Sequence, residues 1–307
     1  MFLSIKRTLA YFDQFSHPLT AEELYTFLWE PPYKIAWPFF LELLEMAVAE
    51  GHCSCTCAYY FLPGCDRFVE ERRHRLILVE KKLALARGAA RLMGIMPFVR
   101  GIFVCNTVAA GWPTAESDID VLVVVKTGRL WLTRFLVTLS TSFFNVRRGK
   151  KNIADRVCLS FYVTDTHLNL DEVRIARPDI YLVYWIQQLV PIFDEAEFLA
   201  AILAANTWTK EYLPNTPSNP QFLPQKIIVL NRVERLLKHG LEKILEGKIG
   251  IWLERVSRVG QCARIERQPH NSPPAVIISD AMLKFHEADR RAEYQNEWLK
   301  RMGNYQI

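Results

Sequence analysis

The chain has 307 residues, half of them apolar and 23% charged, with a net charge of +5. That is ordinary for a globular protein with room for two or three domains, and the charge is too mild to imply nucleic acid by itself. Seven scattered cysteines, an odd number, suggest a reducing compartment rather than a disulfide framework. The first fifteen residues are interrupted by Lys6, Arg7 and Asp13, so they do not read as a signal peptide. The most apolar stretch, Phe135 to Phe144, is too short to span a bilayer. A soluble cytoplasmic protein with no membrane partner is expected.

Residues 1–64 read as three helices and a hairpin. Ile5, Leu9 and Phe12 recur at helical spacing, and Thr20 with Glu23 forms a capping box ahead of Leu24, Phe27 and Leu28. Pro38 suits the first turn of a third helix that stops at Gly51, and Cys53 to Gly64 looks like a short hairpin. This is a winged-helix arrangement, which invites a DNA-binding reading. The charges argue against it: three basic side chains face seven acids, and Glu42, Glu45 and Glu50 lie on the third helix. Phosphate neutralisation comes first in binding a polyanion, so packing or a protein contact is the favoured role. Cys53, Cys55 and Cys57 alternate, which suits one apolar strand face better than paired zinc knuckles.

Residues 65–95 read as one or two linker helices, with Phe68, Val69, Leu76, Val79 and Leu83 as the buried stripe. The chemistry is concentrated in a core placed at 96–180. Ile102 to Cys105 is a strand, Asn106-Thr107 a turn into a short helix, and Asp118-Ile119-Asp120 opens a second strand through Val125. Alternation puts Asp118 and Asp120 on one face. Such a pair can be merely two exposed acids at a strand start. Beside a buried apolar run, however, the two carboxylates repel and lose hydration, and hard oxygen ligands of this kind suit Mg²⁺.

A strand, a small-residue turn, a helix and then Asp-x-Asp opening the next strand resembles the nucleotidyltransferase superfamily, the DNA polymerase β-like enzymes. Asn106-Thr107 stands where that family has Gly-Gly or Gly-Ser. Asn tolerates a left-handed backbone, and Thr keeps a hydroxyl. The resemblance implies an α+β fold with a small mixed sheet and flanking helices, preceded by the winged helix and followed by a helical region at 181–307. It implies Mg²⁺-dependent nucleotidyl transfer from an NTP to an acceptor hydroxyl on a small molecule, an RNA or a protein. By the same resemblance Asp118 and Asp120 hold the metal, and Asn106 and Thr107 hold the nucleotide. A third carboxylate is expected on a later strand. The interior of the strand Val157 to Val163 offers only Ser160, so Asp155, just before it, is preferred to Asp165, just after. The alternative is a catalytically impaired fold that binds nucleotide or a protein partner.

Between these strands, Leu130 to Asn145 reads as a helix apolar nearly all round and packed on the sheet. Arg129 at its start and Arg134 within it are phosphate-contact candidates. Arg147, Arg148, Lys150 and Lys151 form either an exposed turn or a clamp for a triphosphate or polyanionic acceptor. Further on, Asp179 to Asn206 reads as helix broken at Pro191, Pro214 to Pro224 as a loop, and Lys226 to Gly260 as helix. Residues 225–268 carry ten Lys or Arg against five acids, the pattern of a solvated helical bundle. Val276 to Ile278 reads as a short strand, and Asp280 as the cap of a last helix, Ala281 to Met302, that carries Lys284, His286 and Arg290.

Overall fold

The computed structural model describes residues 1–149, 151–218, 220, 227–266, 276–285 and 289–303. Lys150, Pro224, Lys226 and His286 lie outside the described residues. The chain is α+β, with a mixed six-stranded sheet flanked by helices.

The first three helices are α1 (Phe2–Asp13), α2 (Ala21–Thr26) and α3 (Trp37–Ala49). The capping box forms as the sequence requires: the Thr20 hydroxyl accepts from the Glu23 amide while the Glu23 carboxylate accepts from the Thr20 amide. Pro sits in the first turn of α3, and Gly51 takes φ 73° past its end. The hairpin is β1 (Ser54–Thr56) with β2 (Tyr59–Phe61), turned by Cys57 and Ala58, both at positive φ. The cysteines do not share a buried face. Cys53 is buried, whereas Cys55 and Cys57 are exposed, because the hairpin projects outward beyond Cys53.

One continuous helix, α4 (Arg67–Gly94), follows. Its second half is more than a linker: Leu83, Ala86, Ala89, Ala90 and Met93 join the core on one face of the sheet. Small side chains there let the helix lie close to the strands. Leu76, expected in the stripe, is exposed on the half that precedes this contact.

The sheet runs, edge to edge, Val190–Asp194 (β6), Val99–Val104 (β3), Ile119–Val125 (β4), Val157–Thr164 (β5), Met282–Phe285 (β8) and Val276–Ile278 (β7). Its centre is β3 (Val99–Val104), β4 (Ile119–Val125) and β5 (Val157–Thr164), with β3 antiparallel and β5 parallel to β4. Helix α5 (Asn106–Ala110) connects β3 to β4, and α6 (Leu130–Phe143) crosses over from β4 to β5. The near-continuous apolar run of β4 fits a strand covered on both faces, and Val121 to Val125 are all buried. Helix α6 is not packed all round. Leu130, Trp131, Leu132 and Val137 are buried, but Phe135, Leu139 and Phe143 form an exposed stripe.

The region after 181 is not purely helical. Helix α7 (Ile180–Gln187) is followed by the edge strand β6 (Val190–Asp194), antiparallel to β3, and then by α8 (Phe198–Ala205). Pro191 therefore marks a strand rather than a helix break, and an edge position is where a residue without an N–H donor is tolerated. The helix expected from Ala281 is also replaced. Met282–Phe285 forms β8, paired with β5 and with β7 (Val276–Ile278). Asp280 caps nothing; it accepts from the Trp131 indole at 2.8 Å and pairs with Arg258 at 2.7 Å. Of the helix expected over Lys226 to Gly260, the described part is helical from Arg232: α9 (Arg232–Glu246) and α10 (Lys248–Glu266) are separated at Gly247.

The last helix, α11 (Arg291–Gly303), returns to the start of the chain. Trp298 and Met302 share a core with Ile5, Leu9 and Trp29, and the Trp298 indole donates to the Arg7 carbonyl at 2.9 Å. Arg291 anchors its beginning, bonding Asp179 at 2.8 Å and Asp289 at 2.6 Å.

Candidate functional site

The site lies at the start of β4, where the chain enters the sheet. A turn closed by the Ser117 hydroxyl, which accepts from the Thr114 amide at 2.9 Å, delivers Asp118. The Ile119 amide then donates to the Arg156 carbonyl at 2.8 Å, which begins the parallel pairing with β5. In that register Asp120 stands beside Cys158, and the pairing shifts between Asp120 and Leu122. Ligand atoms of Asp118, Asp120 and Cys158 all lie within 4.8 Å of one another. Two carboxylates on one side of the strand, as alternation requires, thus gain a thiol from the neighbouring strand.

Asn106 holds Asp120 from below. It takes φ 54°, the left-handed conformation that Asn tolerates better than most side chains. Its amide nitrogen donates to Asp120 Oδ2 at 2.8 Å. Its oxygen accepts from the Trp185 indole at 2.8 Å and the Tyr181 hydroxyl at 3.2 Å. With both ends committed, Asn106 fixes the orientation of a carboxylate. Thr107 follows in the first turn of α5, where its carbonyl accepts from the Gly111 and Trp112 amides.

The electrostatics at Asp120 are unfavourable to its own charge. Burial, and then the neighbouring Asp118 carboxylate, push its pKa up from 3.8 to about 6, against the hydrogen bonds from Asn106 and Cys158 and the charge of Arg148. Burial and the two carboxylates push the Cys158 thiol up to about 12, so at neutral pH it is a neutral S–H. Arg148 approaches from the loop after α6 and meets Asp118 Oδ2 at 2.7 Å; the arginine is 45% exposed.

Two carboxylates this close, one of them resisting ionisation, form a concentrated demand for a cation. Hard oxygens suit Mg²⁺, which commonly binds one or two protein carboxylates and completes its shell with water and phosphate. The neutral thiol is a poor third ligand for so hard an ion. The donor set therefore fits a magnesium ion held by Asp118 and Asp120 alone.

The other residues singled out from the sequence are dispersed. Asp155 does not join the pair: Lys81 holds its carboxylate at 2.6 Å and the fully buried Lys82 at 2.7 Å. Lys82 also donates to the Ser117 carbonyl at 2.7 Å, so this ion pair braces the turn that precedes Asp118. Arg129 follows the far end of the seven-residue β4, roughly 20 Å along the strand from the acids. There its guanidinium lies over Phe98 and donates to the Glu246 carbonyl at 2.9 Å. Arg134 donates to Gln261 and lies over Phe285. Neither arginine faces Asp118.

Sequence reasoning did not assign Cys158, Tyr181 and Trp185 to the site, and it treated Arg148 only as one cation in a basic run. Cys158 was visible as a strand residue, but its place beside Asp120 depends on the strand register. Tyr181 and Trp185 are four residues apart on one helix face, which reads equally well as core. A separate cavity of about 360 Å³ opens between the first helices and the end of α5, lined in part by His17, Glu22, Phe27, Ala110 and Gln188. Comparison with protein-family models, curated proteins and solved structures finds no match.

Proposed function

We propose that the chain is a Mg²⁺-dependent nucleotidyltransferase, with a winged-helix-like unit at its start and a nucleotidyltransferase-type core around β3, β4 and β5. The observation that carries this reading is the convergence of Asp118 and Asp120 at a strand start, within 4.8 Å of each other and of Cys158. In the proposed reaction an acceptor hydroxyl attacks the α-phosphate of an NTP and pyrophosphate leaves. Bound at the acidic pair, Mg²⁺ would supply neutralisation of the charge that develops on the phosphoryl oxygens. Asp118 and Asp120 would hold the ion, and Asn106 fixes the Asp120 carboxylate through its hydrogen bond. Arg148 exchanges Asp118 for phosphate oxygens when nucleotide enters, as an exposed side chain on a loop can do at small cost.

Transfer of label from an α-labelled NTP to acceptors in a cell extract tests the proposal. Parent protein should label an acceptor only with Mg²⁺. Asp118→Asn and Asp120→Asn should each lower labelling by about 100-fold or more, since each removes a metal ligand. Equal labelling by variant and parent rejects the assignment.

One observation favours a second reading, a nucleotide-binding or protein-interaction module with impaired chemistry. The position beside Asp120 on β5 holds Cys158 rather than a carboxylate, and Asp155 is occupied by Lys81 and Lys82. Calorimetry with Mg²⁺ and each NTP separates the two: binding without turnover supports the module.

A further inference from the structure

Helix α9 is attached to the protein by the wrong face for an ordinary amphipathic helix. Its polar side points inward. Lys238, fully buried, donates to the Val99 carbonyl at 2.5 Å and pairs with Glu195. Glu242 accepts from the Phe98 amide at 2.7 Å and from Arg100 at 2.8 Å. Glu234 binds Arg91 at 2.8 Å, and Glu246 binds Lys126 at 2.6 Å. The apolar side points to solvent: Val233, Leu236, Leu237, Leu241 and Ile244 are between 41% and 73% exposed. Those positions recur at i, i+3, i+4, i+8 and i+11, the stripe that a surface helix normally turns to the core.

Helix α10 continues the pattern. It packs beside α9 and along α6, with Glu254 accepting from the Trp131 and Leu132 amides. Outward it presents Trp252, Val256 and Val259, all at least 49% exposed. Monomeric proteins rarely leave apolar surface on this scale open, and such patches mark interaction sites.

The charge around the patch identifies what covers it. The acids Glu234, Glu242, Glu246 and Glu254 are all engaged with the body of the protein, as given above. Arg232 and Lys243 on α9 and Lys248 and Arg255 on α10 are exposed, and helical spacing places them along the edges of the apolar stripes. The outward face is therefore apolar with a basic margin and includes a tryptophan. A second copy of this chain would bring the same face, whose acids Glu234, Glu242, Glu246 and Glu254 are already engaged within the chain, and so would bring none of these four carboxylates to the cations. An anionic lipid surface satisfies both parts, taking the apolar side chains among the acyl chains and the cations among the headgroups. No helix among the described residues is long and apolar enough to cross a membrane, so attachment would be in the plane of the interface.

We infer that the α9–α10 face is a peripheral membrane-binding surface selective for anionic phospholipid. The inference is independent of the chemistry at Asp118, and it departs from the expectation that a membrane is not a partner.

Flotation of the full chain with vesicles tests it. Phosphatidylcholine vesicles containing about one third phosphatidylglycerol should capture the protein, and pure phosphatidylcholine should capture at least about tenfold less. The exposed double variants Leu236→Gln/Leu237→Gln and Lys243→Gln/Lys248→Gln should each lower capture by about tenfold or more, with circular dichroism unchanged. Failure of the parent to float with anionic vesicles overturns the inference, as does capture unaffected by either variant. A parent that sediments as a dimer, and becomes monomeric in Leu236→Gln/Leu237→Gln without ever floating, assigns the face to self-association instead.

Discussion

Two groups of largely covered carboxylates in this molecule are treated in opposite ways. Asp179 and Asp289 converge on one guanidinium: Arg291 bonds Asp179 at 2.8 Å and Asp289 at 2.6 Å, and all three side chains are at most 14% exposed. Asp118 and Asp120 converge on each other and on a neutral thiol, and Asp118 is met by a half-exposed arginine. Among the described residues Asp120 has no ion pair, only hydrogen bonds. The first group is matched within the chain and ties α11 to α7. The second carries a local excess of negative charge that only something from outside can neutralise. Charge compensation is thus available to this fold and is incomplete at the start of β4.

The contrast can be broken most forcefully at Arg291. Arg291→Leu strands a carboxylate, Asp179, that is almost wholly buried, and should destabilise the protein by roughly 3–5 kcal/mol in urea unfolding. Asp120→Asn removes a charge whose neighbour repels it, and should leave apo stability unchanged or slightly raised. If both variants lose comparable stability, Asp120 is a compensated structural group and the difference between the two regions disappears.

Opposite pH slopes sharpen the comparison. The folded state raises Asp120 from 3.8 to about 6. A raised carboxylate binds its proton more tightly when folded, so its contribution favours folding at low pH. That contribution is lost as pH rises from about 4 to about 6, by roughly 2–3 kcal/mol. Asp289 goes the other way. Despite its burial, the hydrogen bond and charge of Arg291 with the charge of Lys284 bring it down from 3.8 to about 2. Its stabilisation is present above about pH 4 and is lost as pH falls toward 2, by roughly 2 kcal/mol. Unfolding measured across pH 2–7 should show the first slope vanish in Asp120→Asn while the second persists. Mg²⁺ affinity, read by calorimetry, should fall as pH drops through about 6, because the metal and the proton compete for one carboxylate.

The smallest expected effect is at Arg148. Arg148→Ala should tighten Mg²⁺ binding severalfold by removing a competing cation, while weakening NTP binding by about tenfold through a lost phosphate contact. Stability should change by less than about 1 kcal/mol, since an exposed pair contributes little. Weakened Mg²⁺ binding in this variant would mean that Arg148 organises the acidic pair rather than competing for it.

Much of this was legible in the chain because it is local. The capping box at Thr20 and Glu23, the apolar run of β4 and the alternation of Asp118 with Asp120 depend only on backbone geometry and on neighbours a few residues away. Asn106 in a left-handed turn is of the same kind. Pro191 and Met282–Phe285 were misread because each sits on a short apolar stretch between helical patterns, where period cannot separate strand from helix. Only pairing with β3 and β5 made them strands.

By itself the sequence pointed to two acids standing together at the mouth of a buried strand, since residues two apart in extended backbone share a face. The tertiary structure decided which charges would meet them. It set Cys158 beside Asp120 through strand register, gave Asp155 to Lys81 and Lys82, and carried Arg129 and Arg134 away to other contacts. It likewise decided that α9 attaches by its ion pairs and shows its leucines to solvent. An amphipathic pattern states that a helix has two faces, and only packing against the rest of the chain chooses between them.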